Sequence, residues 1–176
     1  VMRDAVLAIE DARFYDHGGV DMVGIARAAL AQLSEARSQG ASTITMQVAR
    51  NVYLSSEKTY TRKIYEILLT FKLEHLLTKD QILDLYLRIA PYGGNLEGIR
   101  AASLAYFGKE PRHLTAAEAA LLVAIPQSPE TRRPDRNHVA AGEARTRVLE
   151  RMRGAGVLTD EKVSAAETEP IPSARR

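Results

Sequence analysis

The chain has 176 residues, 45% of them apolar and 26% charged, with a net charge of +2. That length suits one domain, or one compact body with a small appendage; the apolar share suffices for a real core, and so small a charge gives no argument for nucleic acid as a partner. Cysteine is absent, which excludes a disulfide framework, a zinc–thiolate site and a thiol nucleophile.

Helical punctuation recurs along the chain and nothing alternates with a period of two, so the sequence predicts an all-α fold. The first segment, 4–14, places Val6, Glu10 and Phe14 at successive i+4 positions, which puts Glu10 on an apolar face. Keeping a carboxylate charged there is costly, a condition that suits a proton acceptor working near neutral pH; a plain ion pair with Arg13 or another cation is the competing reading. Asp16, His17, Gly18 and Gly19 form a turn, with His17 expected to fix it by hydrogen bonding rather than to catalyse. Asp21 then caps a helix running to about residue 36, whose apolar side (Met22, Ile25, Ala26, Ala29, Leu30, Leu33) suits either a core or a membrane surface. A polar loop covers 34–39.

Gly40 opens the stretch Ala41-Ser42-Thr43-Ile44-Thr45-Met46-Gln47-Val48-Ala49-Arg50-Asn51. Clustered hydroxyls are poor in helix interiors and good at caps, so this is a loop feeding a helix whose first turn exposes donors, a terminus suited to an anion. An ordinary capped core helix is the competing reading. Between 50 and 63, Arg50, Lys58, Arg62 and Lys63 stand against Glu57 alone, a local charge of +3 that favours an anionic ligand over a merely solvated face. After a connector at 54–61, the longest periodic segment, 62–77, carries Ile64, Ile67, Leu68, Phe71 and His75 on an apolar face and Arg62, Glu66 and Thr70 at i+4 intervals on another. Glu66 is a second candidate carboxylate, unless it only pairs with Arg62 at the surface.

Thr78-Lys79-Asp80-Gln81 is a capping box for a helix over 82–90, which Pro91 stops; Pro91-Tyr92-Gly93-Gly94-Asn95 is a turn. A helix over 96–107 ends at Gly108, and Thr115-Ala116-Ala117-Glu118 is a second capping box, opening a short helix that Pro126 ends. That very apolar run, 116–125, is too short to span a bilayer and contains Glu118, so it reads as buried scaffold. An irregular loop at 127–137, an amphipathic helix over 139–153 and a weak helix after Thr159 follow. The chain starts on Val1 within an apparent helix and shows no signal peptide, so it is expected to be a fragment of something longer. Ser55-Ser56-Glu57-Lys58 fits the Ser-x-x-Lys pattern of penicillin-binding acyl transferases, but Ser-Asp-Asn and Lys-Thr-Gly are missing, so serine acyl transfer is rejected. No glycine-rich nucleotide motif is present.

Five groups of residues occur in order: Glu10-Asp11-x-x-Phe14-x-x-His17-x-Gly19; Gly40-Ala41-Ser42-Thr43-Ile44-Thr45-Met46-Gln47; Arg62-Lys63-x-x-Glu66; Ile82-Leu83-x-x-Tyr86-Leu87 with Gly98 and Tyr106-Phe107-Gly108-Lys109; and Glu118-Ala119-Ala120-Leu121-Leu122. In these the chain resembles the peptidoglycan glycosyltransferase domain (family 51 glycosyltransferases) of class A penicillin-binding proteins and monofunctional transglycosylases. The resemblance covers nearly the whole chain, from Asp4 to about Met152. Thr45-Met46-Gln47 and the 90–98 segment look most like the penicillin-binding protein 1C branch.

The resemblance implies an all-α, lysozyme-like fold with a globular head and a small membrane-facing jaw at about 20–40, the domain covering 1–153 and a C-terminal extension or linker 154–176. It implies polymerisation of lipid II into β-1,4-linked glycan by inverting transfer, with release of undecaprenyl pyrophosphate, on the periplasmic or extracellular face of the bacterial cytoplasmic membrane. Glu10 would be the general base for the acceptor hydroxyl. Glu66 would be the second essential carboxylate, orienting nearby cations or holding a divalent cation (Mg2+ or Mn2+) beside the pyrophosphate; no organic cofactor is expected. Asp11, Ser42, Gln47, Arg50, Asn51, Lys58 and Lys63 would bind lipid II or the growing glycan strand, and moenomycin-type inhibitors would share the site. Met46 stands where many members have Gln, and Arg50 and Lys58 stand where others often have Lys and Arg, exchanges that keep charge but alter phosphate geometry. A lysozyme-like glycan-cleaving enzyme is the alternative, but it would not need the cation cluster. A non-catalytic lipid- or glycan-binding module would not need both Glu10 and Glu66.

Overall fold

The computed structural model describes residues 2–33, 42–53 and 59–175. Among them the regular elements are nine α-helices and three short 3-10 turns, as the sequence predicts for an all-α chain. The helices are α1 (Met2–Glu10), α2 (Met22–Leu33), α3 (Ile44–Tyr53), α4 (Tyr60–Leu76), α5 (Lys79–Ile89), α6 (Ile99–Phe107), α7 (Ala116–Ala124), α8 (His138–Gly154) and α9 (Asp160–Thr168). The chain divides into two units, one of 1–9 with 87–176 and one of 10–86.

In the first unit α7 is the core element, buried at Ala117 and from 119 to 124, and it packs against α6, α8 and α9. A helix apolar all round must be buried all round. Its start is the expected capping box: the Glu118 N–H donates to Thr115 Oγ1 (3.2 Å) and the Thr115 N–H donates to Glu118 Oε2 (2.9 Å). α6 starts at Ile99, later than the predicted 96, because Leu96 is held in a turn, its carbonyl accepting from the Tyr92 N–H at 2.8 Å. Gly98 makes that turn possible: its φ is +80° and a Cβ there would lie 2.4 Å from the Arg88 carbonyl oxygen.

Residues 154–175, expected as a C-terminal extension or linker, pack onto this unit. Leu158, Val163 and Ala166 are buried, and α9 lies against α7 and α8. Arg145, buried in α8, donates to the Glu169 and Glu167 carbonyls at 2.7 and 3.2 Å, satisfying acceptors that the end of α9 leaves open. Burial pulls its guanidinium below the ordinary arginine range. Beyond α9, Arg175 donates to the Gly93 carbonyl (2.8 Å) and to the Tyr106 hydroxyl (3.1 Å), and lies 3.4 Å from Asp135. The Arg133 guanidinium hydrogen-bonded to Asp135 holds that carboxyl below the usual carboxylate range. Residues 154–175 thus pack within this unit as an extension of it.

In the second unit α3 packs on α4. The orientation of α4 is the reverse of what its composition suggests. Its buried residues are Glu66, Thr70 and Leu73, whereas Tyr60, Ile64, Tyr65, Leu68, Phe71 and Leu76 are each more than half exposed. The polar stripe faces the protein and the apolar stripe faces outward. Part of the expected jaw, 34–40, and most of the 54–61 connector, including Lys58, lie outside the described residues. Of the described α2 side chains none is buried, and Met22 and Leu30 are more than half exposed, so the described part of its apolar side does not serve as core. Among the described residues no helix is long and apolar enough to cross a membrane.

Replacing Arg145 with Met should lower unfolding free energy by about 2 kcal/mol, the loss of hydrogen bonds from a charged group, measured by urea denaturation. Unchanged stability would show that the end of α9 does not depend on this guanidinium.

Candidate active site

α3 begins where its first donors find partners. The Met46 N–H donates to Thr43 Oγ1 (3.2 Å), making Thr43 the cap, and the Gln47 N–H donates to the Thr43 carbonyl (3.0 Å). Thr43 Oγ1 in turn donates to the Gly19 carbonyl. The Ile44 N–H donates to Asp11 Oδ2 at 3.1 Å. The sequence suggested a helix start exposing donors to an external anion. Instead residues 43–49 are buried, and the anion at the positive end of the helix is the protein's own Asp11.

Asp11 is committed on its other side too. Both its oxygens lie within hydrogen-bond distance of His17 Nε2, at 2.9 and 3.1 Å. The Gly19 N–H donates to His17 Nδ1 (3.2 Å), which leaves the hydrogen on Nε2 to be donated to Asp11. His17 is thus the turn-fixing residue expected, and Asp11, expected among the substrate contacts, has a side chain only 3% exposed and works inside the protein. Gly19, at φ +91°, sits so close to α4 that a Cβ would fall 2.6 Å from Thr70 Cγ2 and 2.9 Å from Glu74 Cγ. The buried Phe14 ring anchors the same loop and receives the Lys79 ammonium 4.5 Å from its centre.

This loop also ends α1 at Glu10 rather than at the predicted Phe14, because Asp11 turns away to reach His17 and Ile44. Glu10 is left half-buried at the helix end, where the Gln47 side-chain amide donates to its Oε2 at 2.8 Å. The first and second motifs therefore meet through one hydrogen bond. Arg50 and Asn51 follow Gln47 at i+3 and i+4, on the same side of α3. Arg50 is half-buried, and among the described residues no carboxylate pairs with it; Asn51 is exposed. Ser42 is half-buried just before the cap. Met46 is buried in α3, which accounts for an apolar side chain among polar neighbours.

Glu66 is 1% exposed, not a surface partner of Arg62. Lys63 Nζ donates to its Oε1 at 2.5 Å, and Lys63 remains 43% exposed. A carboxylate so buried requires such a partner. The structure also brings in residues that sequence reasoning missed. Glu74, one i+4 step beyond Thr70, accepts from Thr45 Oγ1 and from Lys79 Nζ (2.8 Å). Extending the Arg62, Glu66, Thr70 register by one step reaches it.

A hard cation takes six or more oxygens or keeps several waters around one or two carboxylates, and Glu66, the carboxylate expected to hold it, is occupied by Lys63. Among the described residues no three carboxylate or imidazole groups converge.

A family model described as Transglycosylase matches residues 1–153. A Cupriavidus necator protein, provisionally named a transglycosylase, is 47% identical over 167 residues, covering 95% of this chain and 72% of that protein. Penicillin-binding protein 1A of Escherichia coli is 46% identical over 171 residues, 97% of this chain but 20% of the relative. The crystal structure of penicillin-binding protein 1A from Haemophilus influenzae superimposes with a TM-score of 0.54 at 26% identity, covering 76% of this chain and 17% of that one. The chain thus spans about a fifth of the length of the penicillin-binding protein 1A relatives. These carry the 1A name and lend no support to the finer likeness to the 1C branch. Over residues 1–153 the chain belongs to the transglycosylase family, the all-α, lysozyme-like peptidoglycan glycosyltransferases.

Proposed function

We propose that this domain extends glycan strands from lipid II, with Glu10 as the general base. The observation that carries the reading is the Gln47–Glu10 hydrogen bond at 2.8 Å, which orients a half-buried carboxylate beside the polar side of α3. Glu10 takes the proton from the acceptor's 4-hydroxyl as that oxygen attacks the donor's anomeric carbon; the bond to the pyrophosphate oxygen breaks and undecaprenyl pyrophosphate leaves with inversion. Positioned bases of this kind contribute about 10²- to 10⁴-fold in rate.

The developing charge on the leaving pyrophosphate needs cations already in place. Arg50 and the exposed part of Lys63 are suited to it, with Lys58, Ser42 and Asn51 assigned there by resemblance. Glu66 serves by holding Lys63 rather than by touching substrate, and no step here passes through a metal. Asp11 acts one layer back, keeping α3 and Glu10 in register. Moenomycin-type inhibitors would compete with lipid II for the same cations.

The outward apolar stripe of α4, together with Met22 and Leu30 of α2, supports contact with the membrane that carries lipid II, on its periplasmic or extracellular face. Exposed apolar side chains gathered along one helix suit an interaction surface, and the tyrosines at 60 and 65 suit the polar–apolar boundary of a bilayer.

Glu10→Gln should abolish polymerisation of lipid II while leaving the helical circular dichroism signal and melting temperature close to wild type; full polymerisation by this variant would sink the base assignment. The double variant Leu68→Glu, Phe71→Glu should weaken binding to anionic lipid vesicles by more than about 10-fold in a sedimentation assay, since two apolar contacts with the bilayer would be lost. Both positions are exposed, so the fold should be unaffected. Equal vesicle binding would remove α4 from the membrane surface.

A further inference from the structure

Glu74 takes no part in the chemistry just proposed, yet three elements of the second unit meet on it. Its side chain, 13% exposed, accepts from Thr45 of α3 and from Lys79 at the start of α5. Lys79 also lies 4.5 Å over the Phe14 ring, and the Gly19 backbone presses on the Glu74 methylene. Thr45 is fully buried, and Glu74 is the acceptor its hydroxyl uses.

We propose that Glu74 is a positioning residue for Glu10: by holding the Thr45 hydroxyl it fixes the roll of α3, and with it the direction in which Gln47 offers its amide to Glu10. The inference rests on the reading of Glu10 as base. Asp11 and Thr43 fix the N-terminal end of α3 and packing on α4 holds its body, and the Thr45–Glu74 bond adds a directional restraint on its roll that the bonds at the helix end do not supply. Thr45 and Gln47 are two residues apart, roughly 200° around the helix, so pinning one side chain sets the other on the opposite side. A roll of about 15° displaces a side-chain end, some 6 Å from the axis, by about 1.5 Å. That is enough to break a hydrogen bond of 2.8 Å. Lys79 balances the charge of Glu74, so the carboxylate can stay turned toward Thr45 without being drawn to solvent.

The test is Thr45→Val in the full chain, with Thr45→Ser as the conservative control. Thr45→Val should reduce kcat for lipid II polymerisation on the order of 10- to 100-fold, with KM and melting temperature near wild type, and Thr45→Ser should restore most of it. In the absence of lipid II, the Gln47 side-chain amide signals in 1H–15N spectra should move toward those of a solvent-exposed glutamine in Thr45→Val and stay at the wild-type position in Thr45→Ser. Should Thr45→Val fail to fold, Glu74→Met carries the same two readouts. Unmoved Gln47 signals, wild-type kcat in a folded variant, or a kcat loss that only tracks melting temperature would each overturn the proposal. If the wild type itself makes no polymer, the reading of Glu10 fails, and the Gln47 signals still decide whether Glu74 sets the roll of α3.

Discussion

A helix that begins inside a protein must have its first N–H groups satisfied, and α3 meets this requirement with Asp11, a carboxylate from the preceding loop. Most of the second unit follows from that contact. Asp11 reaches α3 only if the chain leaves α1 at Glu10, and it stays there because His17 holds its other edge. His17 in turn is set by the Gly19 N–H, and Gly19 is where the loop touches α4. Several residues that look catalytic by motif are thus supports of one carboxylate, Asp11, while Glu10 next to it stays half-buried and accepts from Gln47.

α4 shows the same logic on a larger scale. Burying a polar stripe is tolerable only when each group has a partner. Glu66 has Lys63, Thr70 bonds the Glu66 carbonyl at 2.7 Å, and Glu74 has Thr45 and Lys79. With its polar side satisfied inward, the helix is free to turn its isoleucine, leucine and phenylalanine side chains out. An outward apolar face of this kind is what the proposed contact with a lipid surface would use.

The helices and their caps were legible because they depend on local chemistry: the Thr115 and Thr78 boxes stand where the sequence puts them. The candidate carboxylates were legible by spacing and resemblance. The direction α4 faces was not, because periodicity separates two faces without saying which is inward; that depends on Thr45, a residue in another helix. The role of Asp11 was hidden for the same reason, its partner Ile44 lying 33 positions away. The end of α1 at Glu10 and the packing of α9 through Arg145 likewise rest on distant contacts. The substitution at 46, puzzling among polar neighbours, is explained by burial alone.

Glu10 and Asp11 are neighbours in the chain, so the residue proposed for chemistry and the one that closes the helix share a peptide plane. Fraying that frees Asp11 from Ile44 therefore also disturbs the hydrogen bond between Gln47 and Glu10. Local opening of this kind needs less free energy than unfolding the whole domain. On warming, activity should therefore fade while the bulk of the helical structure is still intact, and inactivation by heat reports the latch at the start of α3 rather than the stability of the core.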